Sequence, residues 1–381
     1  MRKISAVLGL KIGLAIFCAT TAWTTTAFAE DPKPAGLNAD ELKKTLGMSV
    51  YLQGGYTYNA NASTPGGSGS ENDLRVFDHK ANSFGLDLAQ IVFSKDPATG
   101  VMGYKVKMSA GETAKFIHAT GLGTQPTGTA NPESFDITEA YVSYSAPLGK
   151  GLRLDFGKFV TYHGAEVIEA IDNANYSRSF LFNYSIPFTH TGVKASYAFS
   201  DNLNASFHVV NGWDNATDNN TGKTVGVSVN VAAGDPFSAY INYMQGPEQA
   251  DNNHDSRSLL DLVATIKPIK PLSIILNYDN GKEDAGSAAS VKWNGFAGIV
   301  KYDITETYSI SVRGESFDDK DGVRTGTVQK LTEYTVTPEI RMANGLVVRP
   351  EYRHDSSDRQ SFDKGTKKTL DTIALGVMYR W

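Results

Sequence analysis

The chain has 381 residues, 41% of them hydrophobic, and a formal net charge of −5 from 36 basic and 41 acidic residues. That is enough apolar material for a large fold, and the acidic balance argues against a nucleic-acid binder, which needs a basic surface. Past the first thirty residues there is no apolar run of about 18 residues, so no transmembrane helix is expected.

The N-terminus reads as a secretory signal. Arg2 and Lys3 precede an apolar stretch from Ala6 to Ala22, and Ala27-Phe28-Ala29 supplies the small residues that signal peptidase needs. Cleavage is expected after Ala29. Phe17 stands before the single cysteine, Cys18, where a lipoprotein site wants a small residue. Removing residues 1–29 takes away Arg2, Lys3 and Lys11 and no acidic residue, so the net charge moves from −5 to −8. The exported chain then has no cysteine and builds no disulfide. Residues 30–45 follow as a periplasmic N-terminal segment. Within "NADELKKTL" (38–46), Asn38 or Asp40 can cap a turn, and Leu42 and Leu46 have helical spacing. A short helix and a plain tether are both open.

Strand signals dominate from residue 46 to 381. "MSVYLQGGYTY" sets Met48, Val50, Leu52, Tyr56 and Tyr58 on one face. "SFGLDLAQIVF" sets Phe84, Leu86 and Leu88, and "VMGYKVKM" sets Tyr104, Val106 and Met108. "ESFDITEAYVSY" slips in parity near Glu139, and "GLRLDFGKF" sets Leu152, Leu154 and Phe156. Further alternating segments run from "HTGVKASYAF" to the terminal "TIALGVMYRW", for sixteen predicted strands in all. One missed or invented hairpin would give fourteen or eighteen. The connectors alternate strictly between seven short turns and eight long polar loops. That is the pattern of an all-β, antiparallel up-and-down transmembrane barrel.

A soluble sandwich also has one apolar face. Against it stand strands of about 10 residues, the length that crosses a membrane when tilted. Tyr58, Tyr104, Tyr144, Tyr197, Tyr243, Tyr278, Tyr302 and Tyr352 near strand ends fit interfacial girdles. With the apolar set outward, the lumen wall carries Lys105, Lys107, Arg153, Lys301, Arg313, Arg341, Arg349 and Arg353, with Asp87, Asp155, Glu315, Glu339 and Glu351. A dry core holds few ions, because each buried charge costs several kcal/mol unless paired, so a water-filled lumen is expected.

The connector 160–187 is the exception among the loops. It is too apolar for a solvated loop (Val167, Ile168, Ile171, Phe180, Leu181, Phe182, Ile186), and it also carries Glu166, Glu169, Asp172 and Arg178. The barrel's own interior is the place where such a segment packs. The expectation is a loop folded inward as a pore constriction, its acids facing the wall's arginines across a transverse field.

Here the sequence also resembles a known family. "LDFGKFVTYHGAEVIEAIDNANYSRSFLFNYSIPFTHTGVKASY" and "LDLAQIVFSKDPATGVMGYKVKMSAGE" are similar to the OmpL-like β-barrel porin-2 proteins of Gram-negative bacteria. The resemblance implies an outer-membrane channel, and it carries over no active-site residues.

Little else in the chain suggests chemistry. The seven histidines, His79, His118, His163, His190, His208, His254 and His354, include no metal-spaced pair, and no cofactor or metal is expected. The oxygen-rich "DNNHD" (251–255) reads as a solvated loop. An outer-membrane hydrolase would need a Ser–His pair that no local motif supplies, and an adhesin or structural anchor would work through its loops.

The function expected is therefore not enzymatic. It is a porin passing small hydrophilic solutes and ions by diffusion, with a substrate-selective channel of the same fold as the alternative. Outer-membrane lipids and the barrel assembly machinery are the expected partners, and a homotrimer is expected by analogy with sixteen-stranded porins. In the last strand Ile373, Leu375, Val377, Tyr379 and Trp381 face lipid, and Met378 is the odd member of the inner parity. Tyr379 and Trp381 are read as the C-terminal assembly signal.

Overall fold

The structure, a computed structural model, describes residues 39–60, 71–122, 134–286 and 288–381. The expected signal (1–29) and the stretch 30–38 lie outside the described residues. Each of the sixteen alternating segments forms a strand. They are β1 (Met48–Asn59), β2 (Phe84–Lys95), β3 (Met102–Ala110), β4 (Phe135–Ala146), β5 (Leu152–Val160), β6 (Thr189–Ser200), β7 (Leu203–Val210) and β8 (Thr224–Ala232). The second half comprises β9 (Phe237–Pro247), β10 (Ser256–Ile269), β11 (Leu272–Ala285), β12 (Ala288–Asp303), β13 (Tyr308–Asp319), β14 (Gln329–Arg341), β15 (Leu346–Ser357) and β16 (Thr369–Arg380). Neighbours in the chain pair antiparallel, and β16 pairs with β1, so the sheet closes into a barrel. Closure leaves no edge whose unpaired backbone would face lipid.

Parity sorts the side chains as the alternation requires. Leu52, Leu86, Phe156, Phe207, Phe296 and Leu375 are exposed on the outer face, and Gln53, Thr57, Ser311, Thr335 and Thr372 are buried inside. Two bulges reset this parity. In the β3–β4 ladder Lys107 pairs with Glu139 but Met108 pairs with Ile137, so Thr138 is the extra residue behind the slip near Glu139. In the β1–β2 ladder Gln53 pairs with Leu88 but Gly54 pairs with Leu86, so Asp87 is extra. Simple alternation puts Leu88 beside Leu86 on the outer face. The bulge turns it inward, where it is 0% exposed.

Residues 39–46 are helical, as α1 (Ala39–Leu46), with Lys43 Nζ 5.3 Å from the ring centre of Trp381. A second helix, α2 (Glu112–Ile117), lies in the loop after β3, where the sequence shows only polar loop; Ala114 and Ile117 are buried. The loop after β1 is also not simply solvated, since it buries Arg75 and Phe77. A buried apolar cluster, including Phe180, Leu181, Phe182, Ile186, Trp293, Phe317 and Leu331, joins residues of the connector 161–188 to inward-facing wall residues.

Candidate pore constriction

Residues 161–188 leave β5 and return to β6 with only single turns of helix at Ala170–Asp172 and Leu181–Ser185. Such a segment carries backbone donors and acceptors that no ladder satisfies. Side chains on the inner parity of the wall supply the partners. Glu351 of β15 accepts the N–H of Tyr176 at 2.7 Å and of Ser177 at 3.0 Å, and Glu315 of β13 accepts those of Phe180 and Leu181. Asp261 of β10 accepts from Gly164 at 2.9 Å. Arg349 donates to the carbonyls of Ala170, Ile171 and Asn175, Arg353 to that of Arg178 at 2.6 Å, and Arg313 to that of Ser177 at 2.7 Å. Bonds to ionised partners are roughly twice as strong as neutral ones.

The Tyr176 ring rests on the seam where β1 meets β16. Gly55 and Gly376 face each other across that seam. A Cβ at Gly376 would lie 2.3 Å from the Tyr176 ring, and one at Gly55 would lie 2.1 Å from its hydroxyl. The two glycines form the notch, and the hydroxyl donates to Asp87 at 2.6 Å.

The acids of the loop have direct partners rather than facing bases across open water. Glu166 is 5% exposed; it pairs with Arg313 at 2.8 Å and accepts the N–H of Ser179 at 2.8 Å. Glu169 pairs with Lys107 of β3 at 2.8 Å and accepts from Gln90 at 2.8 Å. Burial alone would raise the Glu169 carboxyl, but Lys107 holds it down at about 2. Asp172 pairs with Arg380 of β16 at 2.6 Å, both about two-fifths exposed. Arg178 is 1% exposed, bonds to the carbonyls of Tyr176 and Ile168, and lies 4.9 Å from the ring centre of Phe77.

The wall bases divide into two groups. Arg313, Arg349 and Arg353 are at most 1% exposed, because the loop covers them. Like Arg178 they bind loop backbone and carboxylates, while Glu166, though 5% exposed, borders the cavity beside the loop. Lys105, Arg153 and Arg341 remain partly open, paired with Glu139, Asp155 and Asp303 respectively. Lys107 is held between Glu139 and Glu169.

Other residues at this level give no motif in the sequence. Tyr162 lies against Gly226 of β8, stacks on His208 at 3.8 Å between ring centres, and also meets His163 and His190. Three histidines far apart in the chain therefore share one buried cluster. Inner parity in β6 and β7 is the signal that could have placed His190 and His208 there. From the loop after β1, Phe77 packs on Phe182 and Phe188, and Arg75 pairs with Asp355 at 2.6 Å. Arg324 lies over the rings of Trp213 and Trp293.

Two of the cavities among the described residues lie on the β5–β9 side, the first of them beside the loop. One of about 510 Å³ is bordered by Tyr162, Val167, Glu169, Asp172, Tyr240 and Asn242. The other, about 410 Å³, lies toward the short turns between β5 and β9 and includes Arg153, Ser206, Ser228 and Asn230. Tyr240 borders both.

At the long-loop end two carboxylates titrate high. Burial pushes Glu248 from 4.5 up to about 7, where it accepts the Trp213 N–H at 2.7 Å. Burial likewise pushes Asp214 from 3.8 up to about 6, where it accepts from Phe188 at 2.7 Å and Thr189 at 2.8 Å. Raised folded values mean that the native state binds protons the unfolded chain has lost. Their contribution is full below about pH 4 and is lost as pH rises through 6 and 7. Thermal melts of the folded barrel should therefore fall from pH 5 to pH 8, and Glu248→Gln with Asp214→Asn should flatten that slope. An unchanged slope in the double variant would refute this assignment.

The profile of one protein family, described as "Putative beta-barrel porin-2, OmpL-like", matches residues 45–380. The chain belongs to this family. It is an outer-membrane porin channel, in keeping with the closed sixteen-stranded barrel. Solved structures share the porin's fold at low identity. The anion-selective porin from Comamonas acidovorans aligns with TM-score 0.59 at 11% identity, over 88% of this chain and 98% of that one. OmpF of Salmonella typhi, solved with daunomycin, gives 0.60 at 12%, over 88% and 97%. OmpT of Vibrio cholerae, described in a trimer form, gives 0.55 at 12%, over 88% and 98%. No curated protein sequence matches this porin.

Proposed function

We propose that the porin passes small hydrophilic solutes and ions by passive diffusion, and that residues 161–188 form its constriction. The observation that carries this reading is an asymmetry. The loop's backbone is bonded to β1, β10, β11, β13 and β15 and its side chains to β2, β3, β13, β14 and β16, whereas toward β5–β9, where the two cavities lie, it sends Tyr162 against β7 and β8. Solutes move through the space on that free side, past Glu169 and Asp172 and the partly open Lys105 and Arg153. Mixed signs along the path favour hydrated polar solutes over one ion class.

Catalysis has no part in this reading. Residues 1–29 act as the export signal, and Tyr379 and Trp381 present the C-terminal strand to the assembly machinery. The trimer form of the Vibrio cholerae barrel supports a homotrimer here.

The direct test is planar-bilayer recording of the folded, purified protein. Discrete conductance steps are expected. A folded barrel that inserts and yields no steps would sink the diffusion reading.

A further inference from the structure

The cavity of about 410 Å³ toward the short turns has a wall of one kind. Register places Arg153 of β5 beside Ser196 of β6, Ser196 beside Ser206 of β7, and Ser206 beside Ser228 of β8. One row nearer the turns, Asn204 of β7 stands beside Asn230 of β8, and Asn230 beside Tyr240 of β9. Small polar side chains on three adjacent strands recess the wall, and no carboxylate borders the recess among the described residues. The polar atoms are open to it. Asn204 is exposed, and Ser196 and Asn230 are half-buried on the inner parity. Asn230 Nδ2 donates to the Ala239 carbonyl at 3.2 Å, which leaves its Oδ1 without a protein donor and within reach of solvent.

The charge at the β5 margin is not balanced. Arg153 Nε and Lys194 Nζ share one carboxylate, Asp155, at 2.8 Å and 2.9 Å. That carboxylate is 0% exposed, whereas the Arg153 side chain is 34% exposed and that of Lys194 25%. The acid lies beneath and the two bases face water, with one positive charge in excess. Asp96 stands 3.4 Å from Arg153, but it is 95% exposed in the short turn after β2, where solvent screens it. Arg153 still has donors to give. Nε bonds Asp155, one N–H of Nη1 bonds Asp96 and one of Nη2 bonds Ser143, which leaves one N–H on each Nη.

We propose that this recess binds a hydroxylated organic monoanion, a polyhydroxy carboxylate of about six carbons. Its carboxylate takes the open N–H groups of Arg153, in charge-assisted bonds, with Lys194 close by. Its hydroxyls, which donate and accept, run across β6 and β7 over Ser196 and Asn204 toward Asn230. Strands lie about 4.8 Å apart, so an extended six-carbon chain covers about two spacings from the guanidinium. A neutral polyol leaves the excess charge unanswered, a fatty acid leaves the hydroxyls and amides unanswered, and a cation is repelled. Mixed signs at the level of the loop set no bulk ion preference, and this wall adds a site for one class of polar solute. The site rests on the channel reading for how the solute arrives, so binding is measured apart from conduction.

The experiment is calorimetric titration of the folded, purified barrel in detergent with gluconate, sorbitol, hexanoate and glucosamine, detergent alone serving as the blank, alongside bilayer recording with the same solutes. Gluconate should give saturable heat and interrupt the current, whereas the neutral polyol, the plain fatty acid and the cationic sugar should do neither. Arg153→Gln should weaken gluconate binding about tenfold, as loss of a charge-assisted bond does, and Arg153→Lys should recover part of it. Asn204→Asp puts a negative charge into the recess on an exposed side chain, where the fold tolerates it, and should weaken gluconate about fivefold. A conducting channel with no gluconate heat and no block overturns the site. Sorbitol or glucosamine binding as tightly as gluconate overturns the anion, and hexanoate binding as tightly overturns the role of the hydroxyls. Unchanged gluconate affinity in Asn204→Asp, or in a folded Arg153→Gln, overturns the location. Gluconate heat from a barrel that never conducts upholds the site and overturns the diffusion reading.

Discussion

Gly376→Val will lift the loop of residues 161–188 off the barrel seam and, if that loop narrows the pore as proposed, raise the single-channel conductance severalfold. A Cβ at Gly376 would lie 2.3 Å from Cδ2 of Tyr176. The ring cannot slide aside, because Glu351 holds the Tyr176 N–H at 2.7 Å and Asp87 holds its hydroxyl at 2.6 Å. The strand itself should accept valine, which has good strand propensity. The clash is therefore relieved only if the loop around Tyr176 moves. Displacing a buried aromatic should destabilise the fold by about 3–5 kcal/mol, read as earlier loss of the heat-resistant barrel. Tyr176→Ala in the Gly376→Val background should be far less harmful than the two separate losses added together, since the clash then has no partner. Wild-type conductance in Gly376→Val would refute this account of the seam.

The glycine pair also shows what the sequence leaves hidden. Alternation places Gly376 on the inner face, between Ala374 and Met378. It does not say that a ring from residue 176 lies there, because the contact spans two hundred positions. The barrel is legible throughout, since lipid outside and polar groups inside impose one pattern on every strand. It fails locally at Leu88, where the Asp87 bulge reverses the parity. It also misleads about the lumen. Charges inside strands suggest water, and near Lys105 and Arg153 they do stay partly open. Arg313, Arg349 and Arg353 are buried under the loop instead, Arg353 over the Phe180 ring, and their charges are met by carboxylates and loop carbonyls.

This is why Met378 and Leu88 are apolar on the inner parity: both belong to the same buried cluster as loop residues Ile168 and Phe180. An apolar residue inside a barrel strand marks where the loop lands. The inner residues Trp293, Phe317, Leu331 and Met378 trace its footprint, and that signal was available in the sequence, whereas Leu88 joins them only through the Asp87 bulge. The contribution of the loop after β1, through Arg75 and Phe77, was not. Its one arginine and one phenylalanine look like any loop's.

The distinction between buried and open charges sets the second large effect. Arg313→Met should change ion selectivity and stability together. Arg313 is 0% exposed and meets Glu333 at 2.7 Å, Glu166 at 2.8 Å and the Ser177 carbonyl at 2.7 Å. Methionine fills much of the volume but leaves two carboxylates without their shared cation. Breaking a buried pair in this way costs about 3–5 kcal/mol. The least costly relief is to admit water by lifting residues 177–181, which exposes Glu166 and Glu333 to the path. Reversal potentials in a salt gradient should then move toward cations, and high salt should weaken the shift. Glu166→Gln added to Arg313→Met should recover part of both losses, because it removes one of the stranded charges. Asp172→Asn should behave differently. The Asp172–Arg380 pair is about two-fifths exposed on each side, so its loss should cost under about 1 kcal/mol while moving selectivity toward anions. If Arg313→Met and Asp172→Asn prove equally mild in thermal melts, Arg313 does not anchor the loop.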